Sequence, residues 1–417
     1  MSDPVIGPDG TVYLLAGSQD AQGQPRQSLV ALDAAGYARP GWPIEEPPGS
    51  DFGSVTVAPD GSVYVEECGG AEVGCVLHRL DATGRDLPGW PFEVPPDLVC
   101  CSDLAIGAEG TVLLWREGGR LQLVAVNAAG EIVPGWPVAR DDQGMWWSNA
   151  QVGTDGTVFI LRSPDRSVSP ASLWAFAPDG SLRPGWPVSV PDVGGYLLGP
   201  QGTVVVWSLI DDTGEFCPEP RRTVFTMLGA DGRTLPGWPR GSTGSASSPI
   251  VGADGTVYYI SALGNVYAHD RTGEIKSGWP VSVPGSISWC SPRGPYLAPD
   301  GTVYVLADEY GRGSEVAALA PDGHSRAGWP YRLAGHLSLP CLDYDCVPYP
   351  EPPAFGPDGT VYVVVYQADV GSRLEVVALD QRGQLKAGWP SVLPIDPASV
   401  EVGSLTVSPD GRLFVRA

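Results

Sequence analysis

A Gly-Trp-Pro tripeptide occurs eight times along the 417-residue chain, with its tryptophan at Trp42, Trp90, Trp136, Trp186, Trp238, Trp279, Trp329 and Trp389. The copies stand 41 to 60 residues apart, a period typical of repeat architectures in which each unit buries its apolar face on the next. Two further elements share the period. A PDGTVY-like segment carries Gly10, Gly61, Gly110, Gly156, Gly202, Gly255, Gly301, Gly359 and Gly411, nine copies in all. An ALDxxG-like segment carries Gly36, Gly84, Gly130, Gly180, Gly232, Gly273, Gly323 and Gly383, each six residues before its tryptophan. The distance from the first glycine to the second varies from 18 to 30 residues, and that from each tryptophan to the next unit from 16 to 30. One stretch of every unit is therefore fixed in length and two are free to vary.

Asp-Gly between short apolar runs signals a β-hairpin, and a two-residue type I′ turn, which needs positive φ, is the expected connection. VAPDGSVYV around Gly61 reads as strand, turn, strand; the runs LVALD, VLHRLD and LVAVN read as third strands; the segment ending in Gly-Trp-Pro is a short fourth. The proline after each tryptophan has no N–H to give a ladder, which puts this strand at the outer edge. Four strands per period with almost no helical pattern predict an all-β chain: an eight-bladed β-propeller of four-stranded antiparallel blades, one domain over 1–417. The eight repeats end near the eight tryptophans, whose indoles are expected to fill the joints between blades. Residues 396–417 form a partial ninth repeat, read as a surplus C-terminal hairpin at the ring closure.

Charge narrows the partners. Against 48 Asp and Glu stand 25 Lys and Arg, a formal net charge of −23, which repels nucleic acid and anionic lipid and suits Ca²⁺ or a cationic protein patch. No run approaches 18 apolar residues, so no membrane span is expected. Met1-Ser2-Asp3-Pro4 opens neither a basic nor an apolar leader, so no signal peptide is expected within this chain.

If the DG turn joins strands one and two and the xxG turn joins strands three and four, both tight turns lie at one end of each blade. The variable connections then share the opposite end, where binding residues on a rigid scaffold are usually found. All eight cysteines map there: Cys68, Cys75 and Cys217 to connections between second and third strands, Cys100, Cys101, Cys290, Cys341 and Cys346 to connections between blades. An even count with two local pairs, Cys68 with Cys75 and Cys341 with Cys346, makes them disulfide candidates and predicts an extracytoplasmic setting, whether secreted, periplasmic or at the cell surface. The C-x6-C and C-x4-C spacings do not match zinc knuckles, and His78, His269, His324 and His336 are dispersed, so neither a metal site nor a catalytic residue is assigned. Candidate ligand-binding residues are Trp146, Trp147, Trp289 and Tyr344 with Asp103, Asp343 and Asp345, because aromatic faces beside carboxylates suit glycan stacking or protein anchoring. Trp146 and Trp147 equally suit a plug of the central channel. Clustered carboxylates keep Ca²⁺ open as a ligand.

The segments ALDAAGYARPGWP (31–43), HDRTGEIKSGWP (269–280) and LDQRGQLKAGWP (379–390) resemble the tryptophan-docking repeat of quinoprotein-type β-propellers. The resemblance covers essentially the whole chain, and it is closer to the non-enzymatic members. It departs from the usual pattern in the proline after each tryptophan and in Asn127, Ala177, Gly229 and Ala320, which replace the third-strand aspartate. The superfamily includes eight-bladed alcohol dehydrogenases that bind pyrroloquinoline quinone and a propeller lipoprotein that assists outer-membrane barrel assembly. The resemblance implies that adjacent Cys100 and Cys101 are placed like the vicinal disulfide beside the quinone in those enzymes. No calcium ligand or catalytic aspartate of theirs finds a match here. The expected function is a non-enzymatic binding or scaffold module for a protein or glycan, a monomer or part of a larger chain, with no cofactor required. A quinone-dependent dehydrogenase and a carbohydrate-cleaving propeller are the alternatives.

Overall fold

The computed structural model describes residues 4–19, 23, 25–69, 74–95, 104–107, 110–115, 120–141, 145–164, 170–190, 193–210, 222–242, 244–283, 294–309, 313–337, 351–367, 373–394 and 404–416. It divides into two compact units, Met1–Pro191 and Asp192–Ala417. The first unit holds four four-stranded antiparallel sheets; the second holds four more and a separate two-stranded hairpin. Each sheet is a propeller blade whose strands pair in chain order. Blade 1 consists of Val5–Ile6, Val12–Gln19, Pro25–Leu32 and Ile44–Glu45, and blade 2 of Ser50–Val57, Val63–Gly69, Cys75–Leu80 and Phe92–Val94. The fold is thus all-β with eight blades, four in each unit. The surplus hairpin, Ser404–Val407 with Leu413–Arg416, forms its own sheet and lays Leu405, Val407, Leu413 and Val415 against Trp389, Tyr362 and Ala378 of blade 8.

Second and third strands are apolar on both faces because a blade inside the stack has a neighbour on each side. Val361–Gln367 is buried at six consecutive positions, and Arg373–Leu379 at six. The expected type I′ turns give way to a different solution. In Gly7-Pro8-Asp9-Gly10-Thr11, the Gly10 N–H donates to the Gly7 carbonyl at 2.9 Å, and the Gly7 N–H donates to Thr11 at 2.8 Å. Only Gly10 has positive φ, at +82°. This is a three-residue loop, a type I turn closed by a left-handed glycine, and it explains the proline at the second position. Asp9 completes it by accepting the Thr11 N–H at 3.0 Å. Blade 5 alone follows the expectation among the described residues. There Gln201 replaces the aspartate, and Gln201 and Gly202 are both left-handed, at φ 60° and 71°.

The Gly-Trp-Pro segment ends a second kind of turn. The Trp42 N–H donates to the Arg39 carbonyl at 3.1 Å across Pro40 and Gly41, and Gly41 has φ +91°. That is the type II pattern, which wants glycine third. Each Trp–Pro peptide bond is cis. The turn aims the indole at the neighbouring blade, where its N–H donates to the carbonyl of the xxG turn: Trp42 to Ala82 (3.1 Å), Trp90 to Ala128 (3.1 Å), Trp136 to Pro178 (2.8 Å), Trp238 to Arg271 (3.1 Å), Trp279 to Pro321 (3.2 Å) and Trp329 to Gln381 (3.2 Å). These six indoles are each 7% exposed. Burial of ~150–250 Å² apiece contributes an upper bound of ~4–6 kcal/mol per joint. Close approach also requires the preceding glycine: a Cβ on Gly41 would stand 2.1 Å from the Thr83 carbonyl oxygen, and one on Gly328 1.9 Å from that of Arg382.

A charged clip locks the two turns of one blade together. Arg39, Arg183, Lys276, Arg326 and Lys386, each three residues before its tryptophan, reach back to Asp9, Asp155, Asp254, Asp300 and Asp358. The same cations bond the threonine two residues beyond each aspartate. In blade 2 the position is Leu87, and Arg79 of the third strand serves Asp60 instead at 2.7 Å. Partial burial opposes ionisation of Asp9, Asp60, Asp155, Asp254 and Asp300, but the turn N–H, the hydroxyl and the cation outweigh it and hold each carboxyl below its ordinary value. At Asp358 the Lys386 ammonium is the leading cause, and the drop is largest there.

Two outcomes are expected. Gly328→Ala and Gly388→Ala both place alanine at positive φ, yet nothing lies within 4 Å of a Cβ on Gly388. Urea denaturation should show Gly388→Ala losing about 1–2 kcal/mol, the left-handed cost alone, and Gly328→Ala clearly more. For the clips, lowered carboxyl pKa values mean that the unfolded chain takes up protons first as pH falls. Their stabilisation is complete above the ordinary value of 3.8 and is lost below it. The urea midpoint should therefore drop between pH 6 and pH 3, and Lys386→Met should shrink that drop.

Candidate functional site

In every blade the two tight turns sit at one end, so the connections between second and third strands, and those leading to the next blade, emerge at the other. The described strands carry charge towards this second end. In blade 1 Glu46, 3% exposed, follows the outer strand; its carboxylate lies 3.7 Å from the Arg26 Nε, and its carbonyl accepts from Arg26 at 2.6 Å. In blade 8 buried Glu375 pairs with Arg373 at 2.7 Å and accepts from Gln367 at 2.9 Å. Such pairs are held beneath the variable connections because a buried carboxylate without a cation is strongly destabilising.

Of the predicted ligand-binding residues, Trp146 and Trp147 lie next to each other on the first strand of blade 4, Met145–Val152, which bulges between Ser148 and Gln151. Trp147 is 0% exposed and belongs to the core, packed edge-to-face on Trp174 at 5.4 Å with the Arg162 guanidinium 6.0 Å from its ring centre. Its indole N–H meets no acceptor among the described residues. Trp147 thus serves the joint between blades 3 and 4, alongside Leu121, Leu123 and Phe176, and offers no surface for stacking. Trp289, Tyr344, Asp103, Asp343 and Asp345 lie outside the described residues, as do Cys100, Cys101, Cys217, Cys290, Cys341 and Cys346. Cys75 is disulfide-bonded, and Cys68 faces it across the blade 2 ladder.

Two histidine environments escaped the linear reading. His269 is buried in blade 6, with Nδ1 2.8 Å from the Gly273 carbonyl and Nε2 3.3 Å from the Tyr259 hydroxyl. The carbonyl can only accept, so Nδ1 carries the proton and Nε2 accepts from Tyr259. Burial lowers the His269 pKa, keeping it neutral, and raises that of Tyr259. This ring stacks with Tyr259 and Tyr267 and serves the core. His78 differs: it lies between two carboxylates, Asp86 at 3.0 Å from Nδ1 and Glu67 at 3.2 Å from Nε2. The three come from different segments: Glu67 from the second strand, His78 from the third, and Asp86 from the turn segment that bridges back to Leu80. Among the described residues no three His, Cys, Asp or Glu side chains are grouped to hold a metal ion, and no helix is long and apolar enough to cross a membrane.

No family model and no curated protein sequence matches the chain. Solved structures that it is similar to include the Dos1 propeller, with 11% identity over 86% of this chain and 88% of that one at a TM-score of 0.49. BamB from Moraxella catarrhalis has 16% identity, covers 77% and 82%, and scores 0.37. The quinohemoprotein alcohol dehydrogenase from Comamonas testosteroni has 15% identity, covers 88% and 71%, and scores 0.42.

Because Trp147 is a core residue, Trp147→Ala should cost about 3–5 kcal/mol in chemical denaturation. A loss under about 1 kcal/mol would contradict its assignment to the joint.

Proposed function

We propose that the protein is a non-enzymatic, extracytoplasmic binding or scaffold module, one propeller domain over 1–417, that recognises a protein or glycan through the variable connections of its blades. The observation that supports this most is the division between the two ends of each blade. Six indole hydrogen bonds and five cation clips from behind the tryptophans lock the tight-turn end, while the other end carries segments whose lengths differ between repeats. A face so committed to packing has little left with which to bind; the opposite end is free to diversify. The Cys75 disulfide supports an oxidising compartment, and the net charge of −23 favours a partner with a cationic patch.

The test uses the full chain on a glycan array and in cross-linking capture from its native source. Three variants are compared: 338–350 replaced by a Gly-Ser segment of equal length, Trp146→Ala, and Arg233→Ala at an exposed tight turn. The first two should weaken capture by about tenfold or more, with Arg233→Ala at wild-type strength. Equal losses in all three, or none in the first two, would refute the reading. Pyrroloquinoline quinone with Ca²⁺ should leave the melting temperature unchanged; a rise would favour the dehydrogenase alternative.

A further inference from the structure

Between the outer edge of blade 1 and the third strand of blade 2, within the first unit, lies a cleft of about 140 Å³. Its floor is apolar, made by Leu29 and Ile44 of blade 1 with Phe52, Val65 and Leu80 of blade 2. Its wall is anionic: Glu67 and Asp86 flank His78, and Glu45 closes the blade 1 side. An imidazole that donates from both nitrogens offsets one negative charge, so three carboxylates leave a local excess of at least two. Among the described residues no lysine or arginine lines the cleft. The side chains of Glu67 and His78 are 18% exposed and that of Asp86 32%, which places the carboxylates in a medium less screening than bulk water.

The repeat provides its own control. Asp86 occupies the position that bridges back to the third strand in every described xxG turn, and its counterparts include Ala38, Ile132, Leu182, Ile275 and Leu385. By register the counterparts of His78 include Val30, Val124 and Val377, and those of Glu67 include Ala16, Ala307 and Val365. Blade 2 thus departs from the repeat at three positions far apart in sequence, and the three side chains meet on one wall. Packing does not call for carboxylates here: the other blades carry no acidic side chain at the Glu67 and Asp86 positions and no histidine at that of His78, although Arg162 of blade 4 and, by repeat spacing, Arg116 of blade 3 occupy the Glu67 position.

An apolar floor that ends on partly desolvated carboxylates complements an aliphatic stem that ends in a cation. We propose that this cleft binds an alkylammonium group, carried either by a lysine side chain of a partner protein or by a free aliphatic amine. The stem lies along Phe52 and Leu80, and the ammonium donates to Glu67 and Asp86. The site lies at the blade edge and does not depend on the proposed role of the variable connections.

Isothermal titration of the full chain with n-pentylammonium chloride, n-pentanol and acetyl-Gly-Lys-Gly-amide tests this. The ammonium should bind saturably at one site, in the millimolar range or tighter, and pentanol about tenfold more weakly or not at all. Glu67→Gln with Asp86→Asn should weaken ammonium binding by about tenfold or more. Phe52→Trp, which keeps every charge and fills the floor, should do the same, each variant being checked for an unchanged circular dichroism spectrum. Asp231→Asn, which removes a carboxylate from an exposed turn in the other unit, should change nothing. Binding of the peptide as tight as that of the amine identifies a protein lysine as the source; binding of the amine alone identifies a free amine. The proposal is overturned if no saturable binding occurs, if pentanol binds as tightly as the ammonium, if neither cleft variant weakens binding, or if Asp231→Asn weakens it equally.

Discussion

An indole N–H is a donor with no acceptor of its own, so a tryptophan buried in a β-stack must find a carbonyl or leave the donor stranded at a cost of about 1–3 kcal/mol. In six joints the carbonyl comes from the xxG turn of the next blade, and that requirement propagates through the unit. It sets the six-residue spacing from turn glycine to tryptophan, because both ends of the segment engage neighbouring blades. It demands glycine before the tryptophan, where a Cβ would overlap the partner carbonyl. Most of the second-strand aromatics follow from it as well: Tyr13, Tyr64, Tyr258, Tyr304 and Tyr362 each meet their own blade's tryptophan edge-to-face at 5.4–5.6 Å.

The clip is a second layer that varies with the first. Blades 3 and 5 carry Glu109 and Gln201 in place of the turn aspartate, Val133 and Leu235 in place of the cation, and Leu113 and Val205 in place of the second-strand aromatic. All three features change together, as expected when a carboxylate, its cation and the ring beneath them form one partly buried network: a cation kept without its carboxylate would be desolvated for no return. Packing takes over where the network is absent. Trp136 meets Phe176 of the following blade at 6.4 Å, and Trp238 lies 5.9 Å from His269. Exposed ion pairs contribute little one by one, so the joints hold with or without them.

Polar groups that serve no joint are more informative than those that do. Arg26–Glu46 and Arg373–Glu375 neutralise charge beneath the variable connections, and His269 with Tyr259 is a closed core pair whose hydrogen bonds are internally satisfied. The Glu67–His78–Asp86 wall is different. It retains net charge, opens to a cleft, and belongs to a single repeat. In a repeat protein the other copies show what packing alone requires, and a deviation confined to one copy marks a place where something besides packing is at stake.

The eight-bladed, all-β class, the four-stranded blade, the surplus hairpin and the burial of the repeat tryptophans, complete at all but the half-buried Trp389, were legible in the sequence. Each follows from a short-range signal, whether turn glycines, apolar alternation or a recurring aromatic, and was repeated eight or nine times. The turn type was not legible, because Pro-Asp-Gly is compatible with both hairpin geometries and only the register across five residues separates them. For the candidate site the sequence offered a place, the variable end of the blades, which the proposed function adopts. Trp147 suited either a surface aromatic or a channel plug in the linear string, and the pleat and the bulge before Gln151 turn it into the core. Glu67, His78 and Asp86 looked scattered, and only pairing of the second and third strands of blade 2, with the xxG turn folded back onto them, brings the three within hydrogen-bonding distance. Local chain stiffness and hydrophobic period were thus determined by the sequence alone. Which side chains share a wall was decided by tertiary structure, because that depends on strand register and blade stacking, and both bring together residues that no sequence spacing relates.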